Sequence, residues 1–465
     1  MANETGRTPK GLVVAGLGGG SGKSVVAVGL SALLAQQGYQ VVPFKKGPDY
    51  IDAGWLGLAS GCPCFNLDPY LMEEGAMLAS FVEHGGEGDF AVVEGNRGLY
   101  DGVDVEGTYS TAELAVRLGL PVLLVVDCTK TTRTVAALVL GCRMFDPQVR
   151  IAGVVLNRLG SVRHEKIVRA AVERYASVPV LGALHRMKRD IFPMRHLGVT
   201  PFQEHDGAAG AVAQLAGLVA ECVDVEAVKA MMAPLAIAEG RVATRNETVG
   251  GGVRIGVIRD AAFQFYYPEN LLALRREGAE IVEISSLHCA ELPPIDALYI
   301  GGGFPETSAA LLAANETFRH SVRAAAQAGM PIYAECGGLI YLGERITLEG
   351  KDYPLVNVFP VCFTLEKSPQ AHGYTVLEAC AGNPFYSPGM EIRGHEFRYS
   401  RVTQWDKEGA AFGFTMKRGV GFAEQGDGLI YKNVLALYTH IHAVGTPVWA
   451  PALVARAREF AAARG

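Results

Sequence analysis

From Gly11 to about Ala220, short β-branched apolar runs alternate with longer amphipathic stretches. The runs are Gly11 to Leu17, Gln40 to Phe44, Phe90 to Glu94, Pro121 to Asp127, Ile151 to Asn157 and Val178 to Leu184. Each run has the length of a strand and each spacer can hold a helix, which predicts a parallel sheet wrapped by helices. Val122-Leu123-Leu124-Val125-Val126 has no polar face, as suits a strand buried on both sides. Ligands of such sheets gather beyond the carboxyl ends of the strands, where most of these runs end in polar residues or glycine. Between Val223 and Gly252 the rhythm weakens and closes in Gly250-Gly251-Gly252, which reads as a linker. Alternation restarts with Val253 to Ile258, Ile281 to Ile284 and Ala297 to Ile300. The expected organisation is α/β in two domains, 1–224 and 253–465, joined by a linker over 225–252.

The first run breaks into Gly16-Leu17-Gly18-Gly19-Gly20-Ser21-Gly22-Lys23-Ser24. Backbone N–H groups reach phosphate oxygens where no Cβ intervenes, so Gly20 and Gly22 with the other glycines can cradle a nucleotide. Lys23 is assigned to its phosphates and the Ser24 hydroxyl to Mg²⁺. The loop is one residue longer than a standard P-loop, and the first domain is read as a P-loop doubly wound parallel sheet. The second run leads into Lys45-Lys46-Gly47-Pro48-Asp49-Tyr50-Ile51-Asp52, with two ammonium groups and two carboxylates near the cradle. The third closes on Glu94, and an acidic residue ending an apolar strand beside a P-loop suits Mg²⁺ on a triphosphate. Asn157 ends a fifth run where it can read the nucleotide base or cap the strand.

Hydrophobic residues make up 49% of the 465, charged residues 19%, and the formal net charge is -6, so small-molecule partners are expected rather than nucleic acid. Met1 to Lys10 is polar and the apolar run after it is too short for a signal peptide or membrane span, so a cytoplasmic location without membrane partners is expected. Nine scattered cysteines give no disulfide framework. Cys62 and Cys64 lack partners at zinc-ligand spacing.

A second constellation lies in Pro331-Ile332-Tyr333-Ala334-Glu335-Cys336-Gly337-Gly338-Leu339-Ile340, an apolar run, a turn holding a cysteine, two glycines and an apolar helix. Such a turn exposes the sulfur of a nucleophile, and the following helix N-terminus favours a thiolate. The general base is sought in Tyr438-Thr439-His440-Ile441-His442, where His440 is chosen and His442 is the alternative. A zinc pair is the competing reading of the two histidines. Backbone N–H groups of Gly302 and Gly303, after another strand, and of Gly337 are candidates for an oxyanion hole.

Together these residues resemble a known family over nearly the whole chain. The first half resembles dethiobiotin-synthetase-like P-loop synthetases, and the second resembles class I glutamine amidotransferases. Lys46 to Asp52, Glu94-Gly95 with Gly98 to Gly102, Phe265 to Leu271 and Gly394-His395-Glu396-Phe397 are similar to the cobyrinic acid a,c-diamide synthases of corrinoid biosynthesis. The resemblance implies ATP and Mg²⁺ as cofactors, with a tetrapyrrole and glutamine as partners. ATP would phosphorylate a macrocycle carboxylate, and ammonia from glutamine would displace the phosphate, first at c and then at a. It further implies Asp49 and Glu94 at the metal and phosphoryl centre, Tyr50 and Asp101 near the substrate carboxylate, Cys336 attacking glutamine and His440 as base. Hydrogenobyrinic acid and nickel sirohydrochlorin are alternative substrates, and a P-loop ATPase switch is the reading from another class. Asn96-Arg97 stands where smaller or apolar residues are expected, and His442 stands where class I enzymes usually carry a Glu. The third triad member and a homodimer are left open.

Overall fold

The computed structural model describes residues 8–187, 194–195, 198–205, 207–236 and 252–464. They divide into two compact units, the first reaching Ala236 without Tyr70–Met72, the second holding Tyr70–Met72 and 252–464.

In the first unit, β1 (Lys10–Gly16), β2 (Val41–Lys46), β3 (Phe65–Leu67), β4 (Phe90–Glu94), β5 (Val122–Asp127), β6 (Ile151–Leu159) and β7 (Val180–His185) form one parallel sheet in the order β3-β2-β4-β1-β5-β6-β7. All six expected strands form, with ends shifted by a residue or two. The three-residue β3 escapes sequence periodicity because it is too short to display one. Leu12, Val13, Val14, Val92, Val93 and Val122 to Val126 are wholly buried, as a sheet covered on both faces requires. Each such side chain contributes about 1.5–3 kcal/mol by leaving water.

Strand order and register build the first site. Val14 stands opposite Glu94 across β1 and β4, and Lys45 opposite the same Glu94 across β2 and β4. The P-loop leaves β1 into α1 (Lys23–Gln36), and the loop after β2 leads into α2 (Ile51–Ser60), so both open at the same carboxyl edge. The stretch read as a linker begins with a helix, Val225–Met231, capped by Asp224, whose Oδ1 accepts the N–H of Ala227 at 3.0 Å. Ala233–Pro234 then pairs antiparallel with Lys10 and Gly11. Residues 237–251 lie outside the described residues.

The second unit is built on a ten-stranded mixed sheet. Five parallel strands run in the order Glu280–Ile284, Arg254–Ile258, Ala297–Ile300, Ile332–Glu335 and Val434–Leu437. The sheet continues antiparallel through Gly426–Tyr431, Ala411–Arg418, Ala371–Ala379, Glu391–Arg398 and His440–Ile441. A separate four-stranded sheet joins Lys351–Pro354, Arg345–Leu348, Cys362–Leu365 and Ser400–Gln404. Tyr299, Tyr333 and Trp449 meet edge to face in the core beneath the parallel strands. No helix among the described residues is long and apolar enough to cross a membrane.

Candidate active sites

The Gly-rich loop of the first unit is held open from within. Gly22 sits at φ +99°, and a Cβ there would lie 2.2 Å from Asn157 Nδ2, so this position accepts only glycine. The same Asn157 nitrogen donates to Ser21 O at 2.9 Å, which ties the end of β6 to the loop. Asn157 thus braces the cradle, as a strand-end Asn can. At Gly18, Gly19 and Gly20 an added Cβ would meet nothing within 4 Å, so no neighbouring side chain crowds this part of the loop. Lys23 Nζ donates to Gly18 O at 3.0 Å, and burial lowers its pKa despite the nearby Glu94 charge.

Below the loop the structure assembles an ionic centre. Ser24 Oγ donates to Glu94 Oε1 at 2.7 Å. Lys45 Nζ lies 2.8 Å from Asp52 Oδ2, 3.1 Å from Glu94 Oε1 and 3.9 Å from Asp49 Oδ2. Burial alone would lower the Lys45 pKa, but the three carboxylates, Asp52 foremost, raise it well above the usual ammonium range. Burial pushes the Asp49 carboxyl up to about 7, helped by the charge of Asp52 and opposed by Lys45. Burial likewise raises Glu94, whereas in Asp52 the attraction and hydrogen bond of Lys45 outweigh burial and lower the pKa.

Whether these residues suit Mg²⁺ follows from their donors. Glu94 Oε2 is buried without a hydrogen-bond partner, and Ser24, Asp49 and Glu94 supply hard oxygens. No three His, Cys, Asp or Glu side chains among the described residues gather closely enough to hold a metal by themselves. Lys45 occupies the middle of the acidic trio. That arrangement fits an ion bound through one or two carboxylates and completed by phosphate and water oxygens, the usual condition of Mg²⁺. Tyr50 precedes the first turn of α2, where Asp49 Oδ1 accepts the N–H groups of Ile51 and Asp52. Asp101 is exposed, accepts the Gly98 N–H at 2.8 Å, and lies close enough for its charge to act on Lys23. Lys45 and Asp52 were visible as loop charges, but only the β2–β4 register makes Lys45 the hub.

In the second unit, Cys336 joins the strand Ile332–Glu335 to the helix Gly337–Leu342 at φ +47° and ψ −96°, a conformation costing a non-glycine residue about 1–3 kcal/mol. Its N–H is fixed by Leu437 O at 2.7 Å. The expected strand, sharp turn and helix around Cys336 form, although a six-residue helix adds little dipole. His440 comes from the strand after Val434–Leu437 and pairs with His395. It hydrogen-bonds the Cys336 thiol, and its Nδ1 stands 3.6 Å from Glu335 Oε2. Burial opposes charging of the ring, but the hydrogen bond to Cys336 and the charges of Cys336 and Glu335 prevail and raise its pKa to about 10. The His395 ring stacks on His440 at 4.9 Å, and burial, reinforced by the charges of His440 and His442, lowers its pKa well below the usual histidine value.

His442 occupies other surroundings. Its Nε2 lies 3.5 Å from Glu269 Oε1, and its ring packs 4.5 Å from Tyr267. Of the two histidines, His440 is the one brought to the thiol. A Cβ on Gly302 would stand 2.4 Å from His440 Cε1, and one on Gly337 would stand 3.0 Å from Gly303 N, so the three glycine backbones abut beside the cysteine and its base.

Comparison with known proteins agrees with this division. Residues 12–197 match the CobQ/CobB/MinD/ParA nucleotide binding domain, and residues 254–448 match the CobB/CobQ-like glutamine amidotransferase domain. The chain is 43% identical over 445 residues to a cobyrinate a,c-diamide synthase of Magnetococcus marinus, covering 94% of this chain and 95% of the relative. It is 40% identical over 439 residues to the Archaeoglobus fulgidus protein of that name, with 93% and 94% covered. A Dehalococcoides mccartyi protein of the same name is 40% identical over 458 residues, with 97% and 98% covered.

Proposed function

The chain belongs to the family of cobyrinate a,c-diamide synthases, and from that premise we propose that it converts the a and c carboxylates of cobyrinic acid to amides with ATP and glutamine. What supports the reading most is that one chain carries both a braced phosphate cradle over Ser24–Glu94–Lys45 and a buried Cys336–His440 pair. A carboxylate resists amine attack because oxide leaves poorly, so the reaction needs an activating half and an ammonia-releasing half.

In the releasing half, His440 holds the proton of the Cys336 thiol as an imidazolium, and the thiolate attacks the side-chain amide carbon of glutamine. Backbone N–H groups at Gly302, Gly303 and Gly337 face the oxygen that gains charge. As the C–N bond breaks, His440 returns its proton to the departing nitrogen and ammonia leaves. Water then hydrolyses the thioester, yielding glutamate and restoring the thiol. In the activating half, Lys23 and the loop would hold the triphosphate, Asn157 braces the loop, and Ser24, Asp49 and Glu94 would hold Mg²⁺. The ion would neutralise charge on the transferring phosphoryl group. Tyr50 and Asp101 orient the macrocycle carboxylate that accepts it. Ammonia adds to the acyl phosphate, phosphate leaves with the bonding pair, and a proton is lost.

The test offers cobyrinic acid, hydrogenobyrinic acid and a nickel sirohydrochlorin separately with ATP, Mg²⁺ and glutamine, and counts new amides by mass. Two amides on cobyrinic acid are expected. Preference for another macrocycle corrects the substrate, and no amide on any of them refutes the reading.

A further inference from the structure

Class I amidotransferases orient the histidine base with a carboxylate two residues further on, and here that position holds His442, whose Nε2 faces Glu269 instead. We infer that Glu335, the residue directly before the nucleophile, is the positioning residue that orients and charges His440. This rests on the reading of Cys336 and His440 as a glutaminase pair.

The geometry carries it. Glu335 ends its strand with its side chain in the core, 1% exposed, and the chain turns at Cys336 with φ +47° directly after it. Oε2 faces His440 Nδ1 at 3.6 Å and accepts the Tyr299 hydroxyl at 3.2 Å. Oε1 accepts the N–H of Ile441 at 3.2 Å. One carboxylate thus holds both the backbone beside His440 and the imidazole itself, and facing Nδ1 it leaves Nε2 for the thiol. Asn270 braces the same segment, with Nδ2 donating to Ile441 O at 3.1 Å and to Tyr299 Oη at 3.3 Å, and Oδ1 accepting the Ala443 N–H at 2.7 Å.

Among the described residues, the other groups that pack around His440 are engaged elsewhere. His395 covers the ring face with a neutral imidazole, whose Nδ1 lies 3.5 Å from Tyr267 Oη. Glu269 faces His442, and Asp427 accepts the N–H groups of Tyr438 and Thr439 at 2.9 and 3.1 Å. Glu335 neither gives nor takes a proton in the cycle. Its negative charge favours the imidazolium and hence the thiolate, so removing that charge keeps the thiol protonated to higher pH.

Iodoacetamide alkylation of Cys336, followed peptide by peptide from pH 5 to 10 in the full chain, reads this directly. In Glu335→Gln the midpoint should rise by about one unit or more, with about tenfold slower alkylation at pH 7, as expected for loss of an opposite charge at this distance. Glutaminase kcat should fall with KM for glutamine little changed. Glu335→Asp, which keeps the charge, should bring the midpoint back toward wild type. An unmoved midpoint in Glu335→Gln, or equal shifts in both variants, overturns the inference. Failure of the wild-type thiol itself to react with glutamine analogues overturns the glutaminase reading beneath it, and the wild-type arm tells the two failures apart.

Discussion

Replacing Lys45 with Met tests the ionic centre of the first unit. The Lys45 side chain is 2% exposed, and its ammonium lies 2.8 Å from Asp52 and 3.1 Å from Glu94, whose side chain is 0% exposed. At an effective dielectric constant near 20, each of these contacts is worth roughly 5–6 kcal/mol before desolvation is counted. Burying the groups offsets most of that, and removing one partner leaves uncompensated buried carboxylates at a cost of about 3–5 kcal/mol. For a unit of this size the melting temperature should drop by about 6–20 °C. The loss should also depend on pH. In wild type, Asp52 has a lowered pKa, so its contribution is present above its unfolded pKa and is lost as pH falls. In Lys45→Met the carboxylates are expected to titrate above their unfolded values, so stability kept at low pH is lost as pH rises. The variant should therefore lie closer to wild type at pH 5 than at pH 8. Mg²⁺ brings positive charge to the same oxygens, so it should raise the melting temperature of the variant more than that of wild type. Scanning calorimetry at both pH values, with and without Mg²⁺, decides the matter. A variant melting within about 2 °C of wild type at pH 8 without Mg²⁺ would refute the argument.

The remaining predictions divide the two chemistries. Lys23→Ala and Glu94→Gln should abolish synthesis yet retain glutaminase, because their side chains belong to the first unit; full synthase activity in either refutes the assignment. Cys336→Ala should lose glutamine-dependent synthesis but amidate with ammonium salts, increasingly as pH rises toward about 9 and more NH₃ is free; unchanged use of glutamine would sink the role of the thiol. His440→Ala should copy Cys336→Ala, while His442→Ala, whose partner is Glu269, should keep glutaminase activity above that of His440→Ala; the reverse order would exchange the two histidines. Since the Asp49 carboxyl titrates near 7, it is charged above that pH and neutral below it, so Mg²⁺ affinity measured by calorimetry should weaken as pH falls from 8 to 6. A flat profile would remove Asp49 from the metal centre.

Continuous apolar runs and a period short enough for strands determined most of the parallel strands of both sheets. The glycine loop with Lys23-Ser24, Glu94 closing its strand, and Cys336 between a strand and two glycines were legible for the same reason: each is local, and its chemistry is written in consecutive residues. The antiparallel strands between Ala371 and Tyr431 were not read. Ala371–Ala379 keeps one face wetter than the other, so it lacks the uninterrupted apolar signature of the buried strands. Tertiary structure alone decided which distant residues became neighbours. The β2–β4 register put Lys45 beside Glu94, and the pairing of Ile332–Glu335 with Val434–Leu437, from which the chain runs on to His440, brought His440, rather than His442, to the thiol. It also gave His440 its carboxylate from Glu335, more than a hundred residues earlier, because side chains meet through strand order and not through spacing along the chain.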